Sequence, residues 1–204
     1  MTAADLRRLL AAHASDAAPL LLNSVITSRV DGQTVAIRVT EVEAYGGVGE
    51  DPGSHAFRRL TPRNATMFGR AGLAYVYFTY GMHWCLCVVT GEDDQANAVL
   101  IRAGEVIRGI DVARMRRPSA GSDRDLARGP ARLTVALGVT GDLDAVDMTS
   151  PRSPLRIVLP KAPGASHAIS ARTGVGGPGA PTPWRFYLED EPSVSPYRPA
   201  ARRT

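Results

Sequence analysis

The sequence predicts an α+β fold: a curved antiparallel β-sheet surrounded by helices, with one β-hairpin protruding from it. Three observations predict it. Asp31-Gly32 separates two runs rich in β-branched residues and has the chemistry of a two-residue hairpin turn. A second pair of runs, 74–79 (AYVYFT) and 83–90 (HWCLCVVT), flanks Tyr80-Gly81-Met82, where the glycine can supply the positive φ of a tight turn. Helical patterns are few, and the strands come in hairpins. At 204 residues and 44% hydrophobic content, the chain has the size of one compact domain spanning 1–204. Its Pro- and Arg-rich tail, 195–204, is expected to fray.

In chain order, residues 4–13 place Leu6, Leu9 and Leu10 at helical spacing, with Asp5 near the helix start where a carboxylate is favourable. Residues 19–30 then turn β-branched before Asp31-Gly32. In the following strand Val35, Ile37, Val39, Glu41, Glu43 and Tyr45 alternate onto one face, so Glu43 is expected on the face that begins apolar. Residues 46–66, rich in Gly, Pro, Asp and Asn, suit a long surface loop that could carry function. The aromatic hairpin follows. A strand at 97–103 is expected to lead into a helix at 105–117, stopped by Pro118. Residues 114–132 are arginine-rich. A short helix at 131–137 ends at Gly138, and two further strands, 155–159 and 184–188, bracket a loop at 160–183.

Charge permits a polyanion partner: 24 Lys+Arg against 20 Asp+Glu give a formal +4. Lys161 is the only lysine, and arginine's planar fork suits phosphate contacts, although GC-rich coding would give the same bias. Cys85 and Cys87 point the same way from one strand and read as small buried thiols rather than a disulfide framework. His13, His55, His83 and His167 are scattered without metal-site spacing, so neither metal nor cofactor is expected. The N-terminus lacks the pattern of a secretory signal and no run has the length of a membrane span; no membrane partner is expected, and the expected compartment is the cytoplasm.

Glu43 is the first candidate for chemistry. A carboxylate at the end of an inward-facing row is poorly solvated, which raises its pKa toward the range of a general base; the alternative is a salt-bridged structural carboxylate. Tyr45 places an aromatic plane beside it, on which a base could stack. Tyr75 and Tyr77 share a face and could be core. Tyr80, at a hairpin tip with little to bury it, suits a wedge that fills a gap in unstacked DNA. Glu41, Glu43, Asp51 and His55 could instead form a hard metal cluster of a metal-dependent hydrolase, and the arginine-rich loop at 114–132 would also serve a non-catalytic nucleic-acid-binding module.

Thr40-Glu41-Val42-Glu43-Ala44-Tyr45, Ser54-His55, Thr61-Pro62-Arg63-Asn64 and Met67-Phe68 together closely resemble the alkyladenine (3-methyladenine) DNA glycosylase family. The same resemblance continues through Tyr75 to Met82, Val99 to Glu105, Asp123 to Leu126, Gly129 to Leu133, Arg172 to Gly176 and Trp184 to Tyr187, so it runs from about residue 6 to residue 198. It implies a monomeric, monofunctional enzyme. Such an enzyme flips alkylated or deaminated purines out of double-stranded DNA and hydrolyses the N-glycosidic bond, leaving an abasic site.

By the same resemblance, Glu43 is the base that activates water, held with Arg102 and the backbone carbonyl of Thr173. Tyr45 and His55 form one wall of the base pocket and Tyr77 the other. Tyr80 intercalates through the minor groove, flanked by Met82 and His83. Arg63, Arg132 and Arg172 are candidate phosphate contacts, with plain surface charge as the alternative for each. Cys87 stands where the family usually has an asparagine that helps exclude guanine's exocyclic amino group. Tolerance of guanine-derived lesions is the expectation. The central expectation is an unpaired carboxylate at position 43 facing a slot flanked by aromatic rings.

Overall fold

The computed structural model describes residues 1–160 and 166–201. The N-terminal pattern forms two short helices, α1 (Ala3–Leu10) and α2 (Ala14–Ala17). Thr2 opens the first with a reciprocal cap: its hydroxyl accepts from the Asp5 N–H, and the Asp5 carboxylate accepts from the Thr2 N–H. Strands β1 (Val25–Val30) and β2 (Gln33–Tyr45) follow, joined at Asp31-Gly32, both with positive φ as a two-residue hairpin turn demands. Next come β3 (Ala74–Thr79), β4 (His83–Thr90) and β5 (Asn97–Arg108), then helices α3 (Ile110–Arg116) and α4 (Pro130–Leu137). The described chain closes with β6 (Leu155–Val158), β7 (His167–Ser170) and β8 (Arg185–Leu188).

Among the described residues these strands make one eight-stranded sheet in the order β3-β4-β5-β2-β1-β6, with β8 also on β2 and β7 on β8. All of the pairings are antiparallel, and the fold is α+β as expected. One face carries the large core, in which Leu133, Ala136 and Leu137 of α4 pack with Leu86, Ile101 and Ile37. The other carries a smaller cluster of Tyr75, Cys85, Cys87, Val89, Ala98 and Leu100, covered by Ala56 and Met67 of the long loop after β2.

A break in strand register decides which face Glu43 takes. Val39 pairs with Gly104, but Glu41 pairs with Ala103, leaving Thr40 as an extra residue on β2; Val42 then pairs with Ile101, leaving Arg102 extra on β5. Each bulge inserts one residue and so reverses the in/out alternation beyond it. Val35, Ile37 and Val39 lie in the large core, and so do Val42 and Ala44. Glu43 is therefore not on the face that begins apolar. With Glu41 and Tyr45 it belongs to the opposite one, correcting the expectation from simple alternation.

Three further expectations change. No helix begins at 105: β5 continues through Val106, which pairs with Ile37, until Gly109, at φ 74°, turns the chain into α3. The loop expected at 160–183 contains β7, which extends the sheet through β8; Lys161 lies outside the described residues. The tail expected to fray is tied down as far as residue 198. The Ser195 N–H donates to Glu41 at 2.7 Å, and the Arg198 carbonyl accepts from the Gly174 N–H. Residues 202–204 lie outside the described part.

The aromatic hairpin does protrude. Tyr80 and Gly81 both hold positive φ, 52° and 68°, and the Met82 N–H closes the turn on the Thr79 carbonyl. Tyr80 is 83% exposed and Met82 65%. At its base, Phe78 packs on Trp84 with ring centroids 4.8 Å apart, and Trp84 rests against Gly141, where a side chain would collide with the indole.

Candidate active site

Strand pairing assembles the site as a row across the sheet. Glu43 on β2 opposes Leu100 on β5, Leu100 opposes Cys87 on β4, and Cys87 opposes Tyr75 on β3. Residues two positions along share the same face, which adds Tyr45, Arg102, Cys85 and Tyr77. Above this floor lies a cavity of about 350 Å³, lined among others by Tyr45, His55, Tyr77, Cys87, Arg102 and Thr173. That volume falls in the range of small-molecule sites.

The Glu43 carboxylate is wholly buried and is not unpaired. Its Oε1 accepts from the Thr173 N–H at 2.6 Å; its Oε2 accepts from the Tyr45 hydroxyl at 3.0 Å and from an Arg102 terminal nitrogen at 3.3 Å. Burial pushes its pKa up, against the opposing pull of Arg102, the Thr173 N–H and Tyr45, and Glu41 adds a further push upward. All three donors line the cavity, so the carboxylate sits one layer beneath the lining. A carboxylate offers about four acceptor positions; three are taken, and one remains for a water. The Thr173 backbone does meet the carboxylate, but through its N–H rather than its carbonyl.

Among the aromatic groups, Tyr77 stacks on Tyr75 (centroids 5.1 Å, 29° between planes), and the His55 ring meets Tyr77 edge-on at 4.6 Å. His55 Nδ1 lies 3.1 Å from the Tyr75 hydroxyl. His55 thus groups with Tyr77 and Tyr75, whereas Tyr45 stands apart from them, covered by the Arg172 guanidinium 4.6 Å from its centroid. Burial and the Arg63 charge hold the His55 pKa down, keeping the ring neutral. Burial also raises the thiol pKa of Cys87 and of Cys85, so both stay protonated.

Arg172 cannot meet a phosphate here. It is 1% exposed and donates to both Asp51 carboxylate oxygens at 2.5 and 2.7 Å, and to the carbonyls of Ala44 and Gly179. The loop bearing His55 needs that clamp, because Asp51 also accepts from the N–H groups of Gly46 and Gly53. Arg63 and Arg132 are exposed; Arg63 donates to the Phe78 carbonyl near the hairpin. Tyr80, Met82 and His83 lie exposed together at the hairpin end. The metal reading loses its cluster: Glu41 pairs with Arg102 and Arg185, Asp51 with Arg172 and Glu43 with its three donors. Among the described residues no group of three or more His, Cys, Asp or Glu could hold a metal ion.

Tyr75, Cys85 and the Asp51–Arg172 clamp belong to the site without having been singled out for it. Tyr75 and Cys85 could have been found from the parity they share with Tyr77 and Cys87. The clamp joins residues 121 apart in sequence and leaves no local signal.

The family model for methylpurine-DNA glycosylase matches residues 8–192. A protein of Streptomyces avermitilis is 47% identical over 203 residues, covering 97% of this chain and 95% of its own. One from Leifsonia xyli subsp. xyli is 48% identical over 193 residues, covering 92% and 89%, and one from Nocardia farcinica 49% over 191, covering 91% and 88%. All three carry the provisional name 3-methyladenine DNA glycosylase. With the match extending over most of its length, the chain belongs to the methylpurine-DNA glycosylase family and is a DNA-repair enzyme that hydrolyses N-glycosyl bonds.

Proposed function

We propose that the enzyme flips alkylated or deaminated purines out of double-stranded DNA and hydrolyses their glycosidic bond, with Glu43 as the base that activates water. The observation that carries this reading is the buried carboxylate with one acceptor position left, directly beneath an aromatic-lined cavity. Glycosidic cleavage passes through an oxocarbenium-like sugar, so a carboxylate there both deprotonates water and stabilises positive charge. Arg102, Tyr45 and the Thr173 N–H hold the carboxylate in place, and the fourth acceptor position is the one proposed for the attacking water.

Flipping costs a few kcal/mol, and least at damaged or mispaired bases. The exposed Tyr80, fixed on a braced hairpin, would fill the vacated space, with Met82 and His83 alongside. Within the cavity Tyr45 and Tyr77 offer the stacking faces, each contributing roughly 1 to 3 kcal/mol. An electron-poor or cationic alkylpurine gains most from those faces and is also the better leaving group. Arg63 and Arg132 are proposed phosphate contacts. Action as a monomer and a cytoplasmic compartment belong to the same proposal. No helix among the described residues is long and apolar enough to cross a membrane.

Replacing Glu43 with Gln is expected to lower single-turnover base release by roughly 10² to 10⁴ while DNA binding persists; full release would refute the assignment. Because the Glu43 pKa is raised and the base must be ionised, kcat/KM should fall on the acid side at a pH above the usual glutamate range.

The proposed chemistry is purely hydrolytic. Strand cleavage by a glycosylase needs an amine that forms a Schiff base, and the sequence offers only Lys161 and the N-terminus for that role. Borohydride trapping should yield no covalent enzyme–DNA adduct; a trapped adduct would overturn the monofunctional reading.

Cys87 lines the cavity as a protonated thiol, a weak donor and weak acceptor. It therefore offers little opposition to an exocyclic amino group, and guanine-derived lesions should be accepted. In Cys87→Asn their excision should drop relative to adenine-derived lesions, and an unchanged ratio would count against this role.

A further inference from the structure

Beside Glu43 lies a second buried carboxylate that the proposed reaction does not use. Glu41 is wholly buried. Its Oε1 accepts from Arg102 Nε at 2.9 Å and from Arg185 Nε at 2.6 Å, and its Oε2 accepts from the Ser195 N–H at 2.7 Å. Arg185 is anchored in turn, donating to the Ser195 carbonyl at 3.0 Å and to the Ser170 hydroxyl at 3.1 Å. The Ser193 hydroxyl donates to Thr40 Oγ1, the bulged residue that turns Glu43 to the cavity face. Ser193 and Ser195 lie beyond the span that the family model matches, 8–192.

One guanidinium thus serves two carboxylates by different edges. Glu41 takes the Nε edge of Arg102 at 2.9 Å, and Glu43 receives only a terminal nitrogen at 3.3 Å. A buried carboxylate with a short, well-aligned guanidinium bond is a poor base, since each such bond favours the ionised form. A longer bond leaves more of its basicity intact.

We propose that Glu41 is a positioning residue of the glycosylase: it holds Arg102 by the Nε edge, keeps that cation from closing fully on Glu43, and is itself fixed by Arg185 and the 193–195 segment. The role rests on Glu43 being the base. The charged and titratable groups that face Glu43 are Glu41 and Tyr45 on β2, Arg102 on β5, Cys85 and Cys87 on β4, and Arg172 beside Thr173. Of these, Glu41 is the carboxylate in direct contact with Arg102 besides Glu43 itself. Its charge also raises the Glu43 pKa directly. Neutralising it should free Arg102 for Glu43 and remove that push, and both changes lower the pKa of the base.

The test is the pH dependence of kcat/KM for base release in Glu41→Gln, with a duplex carrying one damaged purine. The acid limb should move to lower pH by about one unit, accompanied by a slower rate above the limb as the base weakens. A merely structural Glu41 would lower the rate and leave the limb in place. An unmoved or upward-moving limb would overturn the proposal. Arg185 loses its buried partner in this variant, so the charge-balanced double variant Glu41→Gln/Arg185→Gln is measured alongside; it carries the same predicted downward shift and the same overturning result. Failure of the underlying reading is separately visible, because base release would then survive Glu43→Gln.

Discussion

Glu43 can remain a carboxylate in the protein interior only because Arg102, Tyr45 and the Thr173 N–H compensate for the water it has lost. The compensation is partial. Three donors, one of them a long guanidinium contact, leave the pKa raised and one acceptor position open. Full compensation would have made a salt bridge with no chemistry, and none would have made a neutral acid. The rest of the site follows from maintaining that intermediate state: two bulges that place Glu43 and Arg102 on one face, and a terminal segment that holds Glu41 behind them.

The sheet divides labour between its faces. The helix-covered face has the dense apolar packing that supplies most of the stability, so the other face is free to hold buried polar groups at some cost in stability. That second face is covered by a loop rather than helices, and a loop ties down its polar backbone with specific bonds. The Asp51–Arg172 pair does so by connecting the His55 loop to the back of the Tyr45 ring and, through the chain, to Thr173. One buried ion pair therefore positions a pocket wall and a donor to the base together. Removing either partner would leave an uncompensated buried charge.

Much of this could be read from the chain before any coordinates. Asp31-Gly32 and Gly81 marked both hairpins because positive-φ turn positions favour those residue types. The motif blocks named Glu43, Tyr45, Tyr77 and Arg102; the last three line one cavity, and Glu43 lies beneath it, bonded to Arg102. The strand face of Glu43 was misread, because strict alternation cannot accommodate an extra residue. The signal was present in the apolar series, which steps from Val35, Ile37 and Val39 to Val42 and Ala44, a change of parity at Thr40. Arg172 was misassigned to phosphate because an arginine within a motif looks the same whether it faces solvent or a buried aspartate 121 residues away. The length of β5 was missed because Val106, Ile107 and Arg108 suit either a helix or a strand until Ile37 is known to lie opposite Val106.

The account stands on water reaching Glu43 beside an everted nucleotide. The most direct measurement is a crystal structure of the enzyme with a duplex whose damaged purine carries a sugar that resists cleavage. It should show that base between Tyr45 and Tyr77, and one water within hydrogen-bond distance of the Glu43 carboxylate, in line with C1′. A base left stacked in the duplex, or a carboxylate sealed from water by a closed Arg102 contact, would contradict it.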